Sequence, residues 1–195
     1  MTQRRTPLTV ALIIANFAVF AWEYSTGALT NDAAGNRAMI ADGAIVPALI
    51  VQNHEWWRIV AGAFLHASIL HIAVNMISLW ALGRFIEIIL GSVRMGAVYI
   101  VSMLVSGLAV TFLPGDPYTP TVGASGAIFG LFGALFAIGF KLGPPGMQLI
   151  RSNIAILVIN LIFTFSIPFI SKWGHVGGLC AGFLLTLAIF FPPQP

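Results

Sequence analysis

Ser125 is the residue of this chain best placed to become a nucleophile. It stands in Gly123-Ala-Ser-Gly-Ala-Ile-Phe-Gly130, where a glycine-rich turn leads into an apolar run. At the first turn of a helix the backbone N–H groups lack intrahelical partners, and that end of the dipole is positive. Such a field favours an alkoxide-like oxygen, and the same N–H groups can hold an oxyanion. The competing role for a serine at this place is a helix N-cap. His175, in Gly174-His-Val-Gly-Gly178, opens a second apolar run and offers an imidazole as general base. The competing role there is a histidine bonded to a backbone carbonyl. His71 and Asn75 are four residues apart and share one helix face. Neither suits a nucleophile, but both can donate hydrogen bonds to an oxyanion, unless they serve only helix packing.

This chemistry needs elements that bring the hydroxyl within roughly 2.6–3.2 Å of the imidazole. Gly174, Gly178 and Gly182 form a stripe at helical spacing, and Gly126, Gly130 and Ala134 form another. Small stripes let membrane helices approach closely. If the two stripes face each other, Ser125 and His175 meet at matching ends. Phe129, four residues after Ser125, lies on the same face and can stack on the imidazole.

The 195 residues are 58% hydrophobic and 8% charged, which excludes an ordinary soluble domain and a disordered chain. Six apolar runs, with loose edges, are candidates to cross a bilayer: Leu8 to Trp22, Ala67 to Gly83, Val93 to Leu113, Val122 to Phe140, Asn153 to Phe169, and Gly174 to Phe191. The fold class is therefore all-α, a polytopic membrane protein forming one domain over residues 1–195. A short segment, 1–7, precedes the first run. That run starts like a secretory signal, but Glu23-Tyr-Ser-Thr-Gly27 is a poor cleavage site, so it is read as a span. The connection from about 24 to 66 is long enough to carry short elements of its own. It contains Trp56 and Trp57, which suit the membrane–water interface. Pro114 to Pro120 must be a loop, Gly143-Pro-Pro-Gly146 is a second break, and Pro192-Pro193 stops the last run.

With the N-terminus in the cytoplasm, Arg4, Arg5, Arg84, Arg94, Lys141 and Arg151 fall inside, and Arg37, Arg58 and Lys172 outside. The positive-inside bias therefore puts both termini in the cytoplasm. The second, fourth and sixth spans then start on the same outer side, where His71, Asn75, Ser125 and His175 lie. Ser125 to Phe140 covers about 24 Å of rise, so Ser125 is expected several Å below the outer surface, in a cavity that admits water. The six acids are Glu23, Asp32, Asp42, Glu55, Glu87 and Asp116. None is expected inside a span near the histidines, so the unit reads as a Ser–His dyad whose imidazole is oriented by packing. One cysteine, Cys180, excludes an intrachain disulfide. The spacing of His66, His71 and His175 supports no metal site, and no cofactor is called for. Nine scattered basic residues make no nucleic-acid surface. A channel or transporter would place ionisable groups along a path, whereas here the polar groups gather at one side.

These motifs together resemble the rhomboid family of intramembrane serine proteases. The carrying residues are Glu55-Trp-Trp-Arg58, His66 with His71 and Asn75, and Gly83 with Glu87-Ile-Ile-Leu-Gly91. They continue with Gly123-Ala-Ser-Gly126, then Gly174-His-Val-Gly-Gly178 and Gly182. They follow the family's order from about Trp22 to Phe191. The resemblance implies the minimal six-helix bacterial type, in the inner membrane. It implies Ser125 as nucleophile and His175 as general base, with His71, Asn75 and the Ser125 N–H as oxyanion hole. Gly123, Gly126, Phe129 and His66 would support the site. Trp57 and Arg58 would shape the first loop, Glu87 would be a structural carboxylate, and Gly178 and Gly182 would serve packing. Phe129 departs from the tyrosine of many bacterial members, which keeps the stacking and loses a hydroxyl. The implied activity is cleavage of transmembrane protein substrates within the lipid bilayer. The alternative is a relative without proteolytic activity that binds client helices.

Overall fold

The computed structural model describes residues 5–30, 32–166 and 171–192, without the side chains of 163, 165 and 166. Its helices are α1 (Pro7–Thr26), α2 (Ala33–Asp42), α3 (Pro47–Asn53), α4 (Arg58–Ala61), α5 (Ile69–Ser78), α6 (Arg84–Leu90), α7 (Ser92–Phe112), α8 (Ser125–Leu142), α9 (Pro144–Ser166) and α10 (Lys172–Ile189). A π-helical turn, Leu79–Gly83, joins α5 to α6, so the two run as one helix from Ile69 to Leu90. Among the described residues, six helices are long and apolar enough to cross a membrane. With α2, α3 and α4 carried in the first loop, the architecture is the expected all-α, six-span bundle.

The helix ends follow local chemistry. Pro7 and Pro47 open α1 and α3, where a missing N–H costs nothing. The hydroxyl of Ser68 caps α5 by accepting from the His71 N–H, and that of Ser171 caps α10 by accepting from the Gly174 N–H. Both caps therefore fix the turn that carries a site histidine. Gly143-Pro-Pro-Gly146, expected to break the chain, instead opens α9: a proline is tolerated in a first turn. The fifth span thus starts nine residues ahead of Asn153, and its expected end, Phe169, lies outside the described residues, as do Arg4 and Pro193.

α8 forms the centre. Ile128, Leu131, Phe132, Leu135 and Ile138 are fully buried, and α7, α9 and α10 pack around them. The glycine stripes of α8 and α10 do face each other. A Cβ on Gly178 would overlap the Gly126 backbone, and one on Gly182 the Gly130 backbone. The other side of Gly126 and Gly130 receives Ser106 and Ser102 of α7. Gly133 rather than Ala134 continues the close crossing, against the backbone of Leu179.

Two acids correct the expectation that all six lie outside the spans. Glu23 is buried in the last turn of α1 and accepts the His66 N–H on both carboxylate oxygens at 3.0 Å. Glu87 is buried in α6. It accepts from the Leu8 and Thr9 N–H groups, both at 2.9 Å, and from the hydroxyls of Thr9 and Ser92, both at 2.7 Å. A carboxylate with four donors is satisfied without a cation, so burial is tolerable.

Candidate active site

Ser125 is the first residue of α8, and the cap position before it is Ala124, with no side chain capping the helix. The serine is therefore not an N-cap. Its Oγ lies 2.7 Å from Nε2 of His175. The close α8–α10 crossing makes this distance possible, because only backbone separates the two first turns. Phe129 stacks on the imidazole, with ring centroids 4.1 Å apart and planes 11° apart. Packing alone does not orient the ring, however. Nδ1 of His175 lies 2.8 Å from Oγ1 of Thr164 on α9. The motifs do not single out Thr164; the signal the sequence holds for it is a helical spacing of four from Asn160.

Gly123 closes the loop before α8. It has φ +124°, in the left-handed region, and its N–H donates to the Gly62 carbonyl at 2.8 Å. A Cβ here would come within 2.8 Å of the His71 ring and 3.6 Å of Nδ2 of Asn75. The missing side chain thus lets the α5 residues approach the turn that carries Ser125. Asn75 is buried, and its Nδ2 has no hydrogen-bond partner. Such a donor normally costs stability, and it is most easily understood as reserved for a ligand oxygen.

His66 lies behind His71, with the rings edge to face at 5.1 Å. Its Nδ1 is 3.1 Å from the Phe64 carbonyl, and burial, with His71 nearby, pushes its pKa down to about 3. The imidazole is therefore neutral, with Nδ1 donating. A cavity of about 800 Å³ opens over these groups; Ser125, His175, His71, Asn75 and Gly123 line one end and α2 residues such as Asn36 the other.

The first loop is tied to the site from outside. Ile45 and Thr121 exchange backbone hydrogen bonds at 2.9 Å, and the Ala48 N–H donates to the Pro117 carbonyl. Arg58 is buried. It pairs with Glu55 at 2.6 Å, donates to the Ile40 and Ala44 carbonyls, and lies 4.7 Å from the Trp57 ring centroid. That bond holds the Glu55 carboxyl below its ordinary range. Trp57 in turn fills the space that a Cβ on Gly43 would need.

Comparison with known proteins identifies one family. The Rhomboid domain family model matches residues 53–191. The chain is 36% identical to the rhomboid protease GluP of Bacillus subtilis, over 96% of this chain and 35% of GluP. It is 34% identical to RHOMBOID-like protein 5 of Arabidopsis thaliana, over 74% of this chain and 48% of that one. It is also 33% identical to the same plant's Inactive RHOMBOID-like protein 8, over 74% and 41%. The chain thus spans less than half the length of these relatives. The family model covers more than half of the chain, from the first loop to beyond the end of α10, and the chain belongs to the rhomboid family.

Proposed function

We propose that the chain is a serine-type intramembrane endopeptidase that cuts transmembrane protein substrates. The observation that carries this is the 2.7 Å contact between Ser125 Oγ and His175 Nε2, opening on a cavity beside an unpaired Asn75 amide. His175 takes the Ser125 proton as Oγ attacks the scissile carbonyl. The carbonyl oxygen becomes negative and is held by donors already in place: Asn75 Nδ2, the His71 ring and the Ser125 N–H. The peptide bond breaks as the imidazolium protonates the leaving amine. Water from the cavity then hydrolyses the acyl-enzyme, with His175 again the base.

A peptide bond inside an intact helix is shielded by its own turn. The substrate must unwind locally, which favours spans with Gly, Pro or other residues of low helix propensity near the cut. The cavity then holds an extended segment. The chain sits as an integral multi-pass membrane protein. On the charge bias both termini lie on the cytoplasmic side and the site faces the outer side; the resemblance to the minimal six-helix form favours a bacterial inner membrane.

The test is cleavage of a single-span substrate by protein purified in detergent. Wild type should cut, while Ser125→Ala and His175→Ala should lose roughly 10⁴-fold or more. Cleavage that survives Ser125→Ala sinks the assignment. The similarity to an inactive relative keeps one alternative in view, a protein that binds client helices without cutting them. Wild type that captures the substrate intact would favour it.

A further inference from the structure

The two ring nitrogens of His175 face different hydroxyls. Nε2 meets Ser125 at 2.7 Å, and Nδ1 meets Thr164 at 2.8 Å. A threonine hydroxyl has one proton to give. That of Thr164 is already given, to the Asn160 carbonyl one turn earlier on α9, at 2.7 Å. Its oxygen can therefore only accept from Nδ1. The imidazole is then protonated on Nδ1, and Nε2 keeps the lone pair that must receive the Ser125 proton.

The rest of α9 secures this contact. Asn160 donates through Nδ2 to Ser78 Oγ on α5, at 2.8 Å, and to the Ile156 carbonyl. Asn160, Thr164 and His175 are all buried. A hydroxyl bonding back to the carbonyl four residues earlier is common in helices. Here its oxygen also sits on a site imidazole. Among the described residues none of the six acids bonds that ring, and the histidine still has an acceptor on the side where soluble triads place a carboxylate.

We propose that Thr164 is a positioning residue that fixes the tautomer and plane of His175, and that it steadies the imidazolium formed when Ser125 attacks. The inference rests on the protease reading above and adds a third, uncharged member to its dyad.

The experiment measures cleavage of a single-span fluorogenic substrate by wild type, Thr164→Val, Thr164→Ser and Ser125→Ala in the same detergent. Valine keeps the shape and removes the hydroxyl; serine keeps the hydroxyl. Thr164→Val should lower kcat by about tenfold or more, as expected for one hydrogen bond to a charged ring, with KM within about twofold. Thr164→Ser should restore most of the rate. In ¹⁵N spectra of histidine-labelled protein, the signal missing from His175→Ala should report protonation on Nδ1 in wild type and a mixture in Thr164→Val. Should Thr164→Val not fold, Thr164→Ala carries the same expectation. A kcat within twofold of wild type, or a Thr164→Ser as slow as Thr164→Val, overturns the inference while loss of cleavage in Ser125→Ala leaves the protease reading standing. Cleavage by Ser125→Ala would instead remove the parent reading.

Discussion

At the scale of single residues, the site holds groups whose contacts make sense only with a guest. The Nδ2 of Asn75 is buried and unpaired, so its removal should harm catalysis far more than folding. Asn75→Ala is expected to lower kcat by roughly 10²–10³, as for other oxyanion donors, while stability falls by no more than about 1 kcal/mol. Cleavage assays paired with thermal unfolding in detergent check both halves. His66 carries a different prediction. Burial holds its pKa at about 3 in the folded protein, against an ordinary value of 6.5. Between those values the unfolded chain binds a proton that the folded chain refuses, so stability rises with pH. His66→Gln should flatten the unfolding midpoint between about pH 6.5 and 3, relative to wild type. An equally steep profile in the variant would show that other groups set it.

At the scale of elements, the decisive contact is the α8–α10 crossing. Gly182 and Gly178 press on backbone, which cannot yield. Gly182→Val should therefore destabilise by about 3 kcal/mol or more, with cleavage lost as Ser125 and His175 part. Gly96→Ala, whose Cβ would meet only the end of Leu8 at 3.1 Å, should be neutral or gain up to about 1 kcal/mol from helix propensity. Denaturant unfolding of both variants distinguishes a crowded crossing from a general glycine effect. Much of this crossing was legible in sequence, because spacing of four turns a list of glycines into a face. The placement of Ser125 at a helix start, and the shared face of His71 and Asn75, were legible for the same reason. Thr164 was not. Its hydroxyl matters only because α9 crosses beside α10, and no periodicity announces which neighbour a threonine will meet. Glu23 and Glu87 were misplaced for a related cause: hydropathy marks a span's apolar centre, and a carboxylate in its last turns looks external until its donors are known.

At the scale of the whole molecule, charge bias predicts orientation, with six basic residues on one side and three on the other. The lone Cys180 makes a test simple. On a Cys180→Ser background, a cysteine at Asn53 should react with an impermeant thiol reagent added outside cells, and one at Gly143 only after lysis. The reverse pattern would invert the bundle. The helix from Ile69 to Leu90 spans this polarity with two different tasks. Its N-terminal half presents His71 and Asn75 to the cavity, and its C-terminal half presents Glu87 to α1. The π turn between them holds one more residue than an α turn, so it sets back the phase of everything below by about 100° relative to an unbroken α-helix. It acts as a gear offset between two faces that no single straight helix would align at once. Deleting Ala81 removes the extra residue, so a plain α-helix should keep both ends in their present phase, with Glu87 still facing the Leu8 and Thr9 amides. The expected readout is a stability much closer to wild type than that of Glu87→Ala; a deletion as damaging as Glu87→Ala, and not additive with it, would show that the π turn does not set the phase.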